Sequence, residues 1–140
     1  MKKAVNSATI TRFSPRASLA AVGIKLRTVD LFGPIKERVL IRQKTVKHSP
    51  VEKLQDAFIA ILAGARSLCQ INTHLRTDEV LQRAFGRQAC AEQSVVQETL
   101  DHCTSANVGQ MMQAADVIFR RHSLAFRHDY KAASNCLILM

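Results

Sequence analysis

Carboxylates are scarce at the front of this chain: in its first fifty residues only Asp30 and Glu37 stand against eleven lysines and arginines. The remaining ninety residues hold nine of each sign, so the whole formal charge of +9 resides in the first third. An asymmetry of this kind points to a polyanionic partner, most often nucleic acid, and its plain alternative is a solvated basic segment. No apolar run approaches the ~18–20 residues needed to cross a bilayer, which argues against a membrane partner. The four cysteines, at 69, 90, 103 and 136, form no C-x-x-C pair and have no histidine at finger-like spacing. They read as buried free thiols of a protein from the reducing cytoplasm. Met1-Lys2-Lys3-Ala4 could open a signal peptide, but polar residues at 9, 11, 12, 14 and 16 interrupt the apolar region it would need. The lack of any acid before Asp30 also suits an organelle transit segment.

Catalytic patterns are missing too. There is no Gly-rich phosphate loop, no H-E-x-x-H and no nucleophile elbow, and the five histidines are scattered. The expectation is a chain that is not an enzyme by itself and that needs no cofactor or metal. Low-complexity tracts and internal repeats are absent, and 47% hydrophobic residues with 22% charged is a globular composition.

Helical signals dominate what is present. Residues 1–48 read as a basic, loosely ordered arm, with a short helix near Asp30 or Pro34 and an extended or strand-like stretch over 39–46. Ser49-Pro50-Val51-Glu52 is a capping box opening a helix over about 50–65, apolar at 51, 54, 57, 58, 61, 62 and 65 and expected in the core. Further helices are expected over 67–76, from Asp78 to Phe85 with Gly86 as the stop, over 92–103, and from Thr104 or Ser105 to His122. On the last, Val108, Met111, Met112, Ala115, Ile118 and Phe119 form the expected inward stripe. Residues 49–122 are thus a helical domain and 123–140 a linker with an apolar tail. The fold class is all-α, a small bundle behind a basic arm.

The helices 79–85 and 92–103, joined through Gly86, have helix-turn-helix proportions. In that motif the second helix enters the major groove, and here Gln93, Ser94 and Gln97 would face base edges, Gln pairing well with adenine. Its three acids, Glu92, Glu98 and Asp101, and its lack of any Lys or Arg oppose this. Arg83 and Arg87 on the preceding element compensate in part. With them, Lys2, Lys3, Arg12, Arg16, Lys44 and Lys47 complete the candidate DNA-binding set.

A specific resemblance accompanies these signals. Lys44 to Pro50, the apolar helix ending Ile61-Leu62-Ala63-Gly64-Ala65, Ile71-Asn72, Leu75-Arg76, Asp78 with Leu81, Ala84-Phe85-Gly86, then Gln93-Ser94 and Thr99-Leu100 occur in fixed order. This pattern, over more than half the chain, resembles the N-terminal region of bacterial insertion-sequence transposases of the DDE type. The resemblance implies a helical domain that recognises, or assembles on, the DNA ends of a mobile element. It also implies a following RNase H-like domain whose carboxylates bind two divalent metal ions, which this sequence does not contain. Arg127-His128-Asp129-Tyr130 looks like the family's linker before its first catalytic strand, but Asp129 matches no catalytic position. Residues 131–140 depart from the family, as a frameshifted or shortened reading frame would. The expected function is that of a truncated transposase remnant keeping its DNA-binding region. Two alternatives stay open: a helical interaction module pairing with itself (a homo-oligomer) or with intact transposase, and a small helix-turn-helix regulator.

Overall fold

The computed structural model describes residues 13–44 and 47–129, and within them the chain is an all-helical bundle without strands. The expectations placed on Lys2, Lys3, Arg12 and the apolar tail lie outside the described residues.

The helix starts follow from local chemistry. Helix α3 (Pro50–Leu62) begins at the expected capping box: the Glu52 amide donates to Ser49 Oγ at 3.3 Å, and the Ser49 amide donates to Glu52 Oε2 at 2.7 Å. Such a cap contributes about 1 kcal/mol. Asp78 Oδ1 accepts from the Leu81 amide and opens α5 (Glu79–Ala84). Gly86, at φ +80°, ends it, and the Arg87 amide returns to the Gln82 carbonyl in a left-handed stop. Thr104 caps α7 (Ser105–His122) through Asn107. Helix α6 covers Gln93–Asp101 and α8 covers Leu124–Arg127. Between α3 and α5 the chain makes a 3-10 turn over Leu68–Gln70 and the short helix α4 (Ile71–His74), where one continuous helix over 67–76 was expected.

Two helices precede these. Helix α2 (Gly33–Arg38) carries Pro34 in its first turn, between the two starts expected at Asp30 and Pro34, and packs on α7. Helix α1 (Ala17–Thr28) lies where a loosely ordered segment was expected. It escapes the periodicity test because the residues it buries, Ala20 and Gly23, are the small ones. A Cβ at Gly23 would sit 2.5 Å from Phe85 Cδ2, so glycine there lets α1 approach the core aromatic ring. Residues 39–44, where an extended or strand-like stretch was expected, form no regular element and pair with no strand. Side chains of α7 serve the Leu40 backbone instead: its amide donates to Gln110 Oε1 at 2.9 Å and its carbonyl accepts from Asn107 Nδ2 at 2.8 Å.

The core is built from Ile59, Ala60, Ile71, Leu75, Leu81, Phe85 and Val96, contributed by α3 to α6. The face of α3 that enters it is not the apolar stripe read from sequence. Lys53, Gln55, Asp56, Ile59 and Ala60 are buried, whereas Phe58, Ile61 and Leu62 are exposed. The stripe Val51, Leu54, Phe58 and Ile61 instead lines an open apolar groove of about 480 Å³, faced by Leu31, Phe32 and Ile35 and by Met111, Ala115 and Ile118 of α7. Helix α7 departs likewise. Of its expected inward residues, Val108, Met112 and Phe119 are exposed, Met112 at 69%. No helix among the described residues is long and apolar enough to cross a membrane.

Close packing of the two expected helix-turn-helix elements on one another is not among the main helix contacts. Helix α5 makes its main contacts with α1, and α6 packs on α3 and the 68–70 turn. Each candidate helix therefore has another partner, and the segment between them, Gly86 to Glu92, is tied to α3.

Candidate functional site

That tie is a buried ion-pair hub. Arg87 is 5% exposed and Asp56 is fully buried. Arg87 Nε donates to Asp56 Oδ1 at 2.8 Å and Nη2 to Oδ2 at 3.1 Å, a two-pronged pair, while Nη1 donates to Glu52 Oε1 at 2.6 Å. Asp56 Oδ2 also accepts from the Ala91 amide at 2.8 Å, just before α6 begins. A guanidinium suits this place because its fixed fork meets two carboxylates at once. Arg87 was expected on a DNA-binding surface; the structure turns it inward, and its charge is neutralised there. Burial opposes its charge, but the Asp56 hydrogen bonds and the neighbouring carboxylates outweigh that and raise its pKa.

The hub extends to the surface through His48. Its Nδ1 lies 3.2 Å from Arg87 Nη2, so the guanidinium donates and the ring nitrogen accepts. Burial, and then the Arg87 charge, lower the His48 pKa. Burial alone would raise the Glu52 carboxyl, but the Ser49 amide and Arg87 hold it below its ordinary value. Both shifts have the same consequence in acid. The unfolded chain takes up a proton at His48 from its ordinary pKa of 6.5 downward, while the folded protein resists until its lower value. Stability is therefore complete above 6.5 and is lost as the pH falls, first through His48 and then, below 4.5, through Glu52. In His48→Gln the urea midpoint is expected to stay flat down to the Glu52 limb. An unchanged pH profile in that variant would rule the imidazole out as the source of the first limb.

Beside the hub lies a cleft of about 340 Å³, lined by Lys44, Lys47, His48, Lys53 and Arg76 with Cys90, Glu92, Val95 and Glu98. Lys44, Lys47 and Arg76 are exposed. Lys53 is 4% exposed, and its Nζ donates to Gln43 Oε1 at 3.2 Å. Among the described residues no carboxylate lies in ion-pair range of Lys44, Lys47, Lys53 or Arg76. Burial first, and then the Asp56 carboxylate, push the Cys90 thiol up to about 12, so it stays a neutral, unreactive thiol at physiological pH. Cys69 is exposed and Cys103 half-buried, against the expectation of buried thiols, and all three described cysteines are free. Among the described residues no cluster of three His, Cys, Asp or Glu is placed to hold a metal ion.

The expected DNA-contacting residues thus divide. Lys44 and Lys47 come together on the cleft, and α6 starts at its wall. Ser94 and Gln97 are exposed, with Gln97 Nε2 donating to Asp101 at 2.8 Å, and Gln93 is half-buried with its amide toward Asn72. Arg83 is exposed and pairs with Glu79 on its own helix. Arg16 belongs to the fold: its Nε donates to the Ala63 carbonyl at 3.1 Å, and its guanidinium lies 4.0 Å from Asp78. Ser14 Oγ donates to the same carboxylate at 2.6 Å. These contacts fasten the start of the described chain at Asp78, two residues from Arg76 of the cleft. Lys53, His48 and Arg76 were missed by sequence reasoning. Lys53 carried a usable signal, since it shares the α3 face of Asp56 and Ala60, three and seven residues on.

Set against protein-family models, characterised proteins and solved structures, the chain matches none.

Proposed function

We propose that this protein binds nucleic acid through the basic cleft, with residues 1–12 as a second basic contact. The observation that carries the reading is the convergence of Lys44, Lys47, Lys53 and Arg76 on one concave surface, where they outnumber Glu92 and Glu98 and, among the described residues, have no carboxylate within ion-pair distance. Cations held unpaired in a cleft focus positive potential and gather polyanions. The excess positive charge of the first third of the sequence, Lys2, Lys3 and Arg12 included, supports a second basic contact. Together with the ordered pattern that resembles insertion-sequence transposases, this favours duplex DNA at the ends of a mobile element as the target. The role is recognition or assembly, and strand cleavage and transfer would belong to a metal-binding catalytic domain elsewhere. Base selection would fall to Ser94 and Gln97, the exposed uncharged polar residues of α6.

The test is a titration of the full chain against labelled element-end duplex over a range of salt concentrations. Affinity should fall linearly on logarithmic axes as salt rises. Binding that ignores salt, or no binding at low salt, would overturn the reading.

A second reading, self-association, is favoured by the exposed apolar stripe of α3. Val51, Leu54, Phe58 and Ile61 face an open groove together with Met111 and Ile118. Burial of apolar surface at about 25 cal/mol per Å² makes a second copy of the chain a suitable cover. Light scattering is expected to show a concentration-dependent dimer. A strict monomer at high concentration would sink this reading.

A further inference from the structure

We propose that the cleft is a seat for a terminal phosphate monoester of a nucleic-acid strand, rather than a track for the internal backbone. The inference rests on the nucleic-acid reading above and adds which phosphate is bound.

The first argument is access. Lys53 lines the cleft while only 4% exposed, so it is the recessed member of the cationic set. An internal phosphodiester carries a sugar on both sides, so its two free oxygens enter a recessed cationic site less readily than the three of a monoester. A terminal monoester projects from the strand with three free oxygens. Of the three Nζ donors of Lys53, Gln43 Oε1 takes one, and Gln43 Oε1 is itself shared with Thr99 Oγ1 at 2.7 Å.

The second argument is charge. Lys44, Lys47, Lys53 and Arg76 bring four positive charges and Glu92 and Glu98 two negative ones. The surplus of two matches a monoester, which carries about −1.5 to −2 at neutral pH, better than the single charge of a diester. The two glutamates also set a limit: a longer anionic strand threaded through the cleft would meet them. At the rim, Arg76 offers a fork for two phosphate oxygens, and its present partner is only Asn72 Oδ1 at 3.4 Å.

The experiment compares one duplex with 5′-phosphate, 3′-phosphate or hydroxyl ends on the full chain, with inorganic phosphate as competitor. A terminal phosphate at one end should tighten binding by about tenfold, and inorganic phosphate should erase that gain. Lys44→Gln and Arg76→Gln change exposed residues and keep the fold, so they should abolish the preference while leaving the helical spectrum intact. Lys53→Met should do the same where its melting curve shows it folded. Equal binding of all three duplexes overturns the terminal seat and leaves the nucleic-acid reading standing. Inorganic phosphate bound in the cleft with no duplex binding overturns both, since the anion would then be a free one.

Discussion

Replacing Arg87 with methionine is expected to destabilise the fold by about 3–5 kcal/mol, read as a lower urea midpoint. The magnitude comes from what is left behind. Asp56 is fully buried and would be left without its two-pronged partner, beside only the Ala91 amide and the Cys90 thiol among the described residues. Glu52 would lose its 2.6 Å contact and His48 its donor. The connection from α5 to α6 would loosen, since Arg87 and Ala91 fasten that segment to α3 at both ends. A double variant separates burial from pairing. Asp56→Asn with Arg87→Met keeps an acceptor for Ala91 and removes the stranded charge, so it should cost less than the two single changes added. A loss under about 1 kcal/mol for Arg87→Met would show that the hub does not hold the bundle together.

Reversing the three exposed cleft cations has the second large effect, on binding. A terminal monoester held in the cleft carries about −1.5 to −2, so at about 0.9 per neutralised charge Lys44, Lys47 and Arg76, acting on it together, contribute about 1.6 to the logarithmic salt slope. Between 50 and 200 mM salt that portion alone weakens binding about ninefold. The variant Lys44→Glu/Lys47→Glu/Arg76→Glu should lose more than about tenfold in affinity at low salt, and its slope should flatten by about that amount. The loss should be alike for every sequence, because phosphate contacts carry no base information. Substitutions of Ser94 and Gln97 should instead change the preferred sequence with little effect on slope. An unaltered slope in the triple variant would move the interface off the cleft.

The groove on α2, α3 and α7 shows how pattern and packing separate. Apolar residues at 51, 54, 58 and 61 mark a helix face correctly, but periodicity does not say which partner covers it. In the folded chain the opposite face, with Lys53, Gln55 and Asp56, is the buried one, and each of these has a hydrogen-bonding partner: Gln43, the Phe85 carbonyl and Arg87. Such a face reads as solvated in sequence, because its partners lie ten to thirty-odd residues away. Helix α1 was obscured for the converse reason. Its contact surface is Ala20 and Gly23, whose small side chains carry almost no hydrophobic signal, and what makes them a surface is the ring of Phe85.

What local chemistry could decide, it decided from the string of residues alone. The all-α class, the start of α3 at Ser49, the cap at Asp78 and the stop at Gly86 each depend on neighbours within a few positions. So does the placement of the excess charge in the first third. The candidate site lies beyond that range. Lys44 and Lys47 had to be brought against Lys53 and Arg76, and Arg87 had to be drawn away from the surface by two carboxylates more than thirty residues back. A formal charge counts every arginine alike. Only the tertiary structure separates a cation spent on buried carboxylates from one left facing a cleft, because that difference lies in distance and burial.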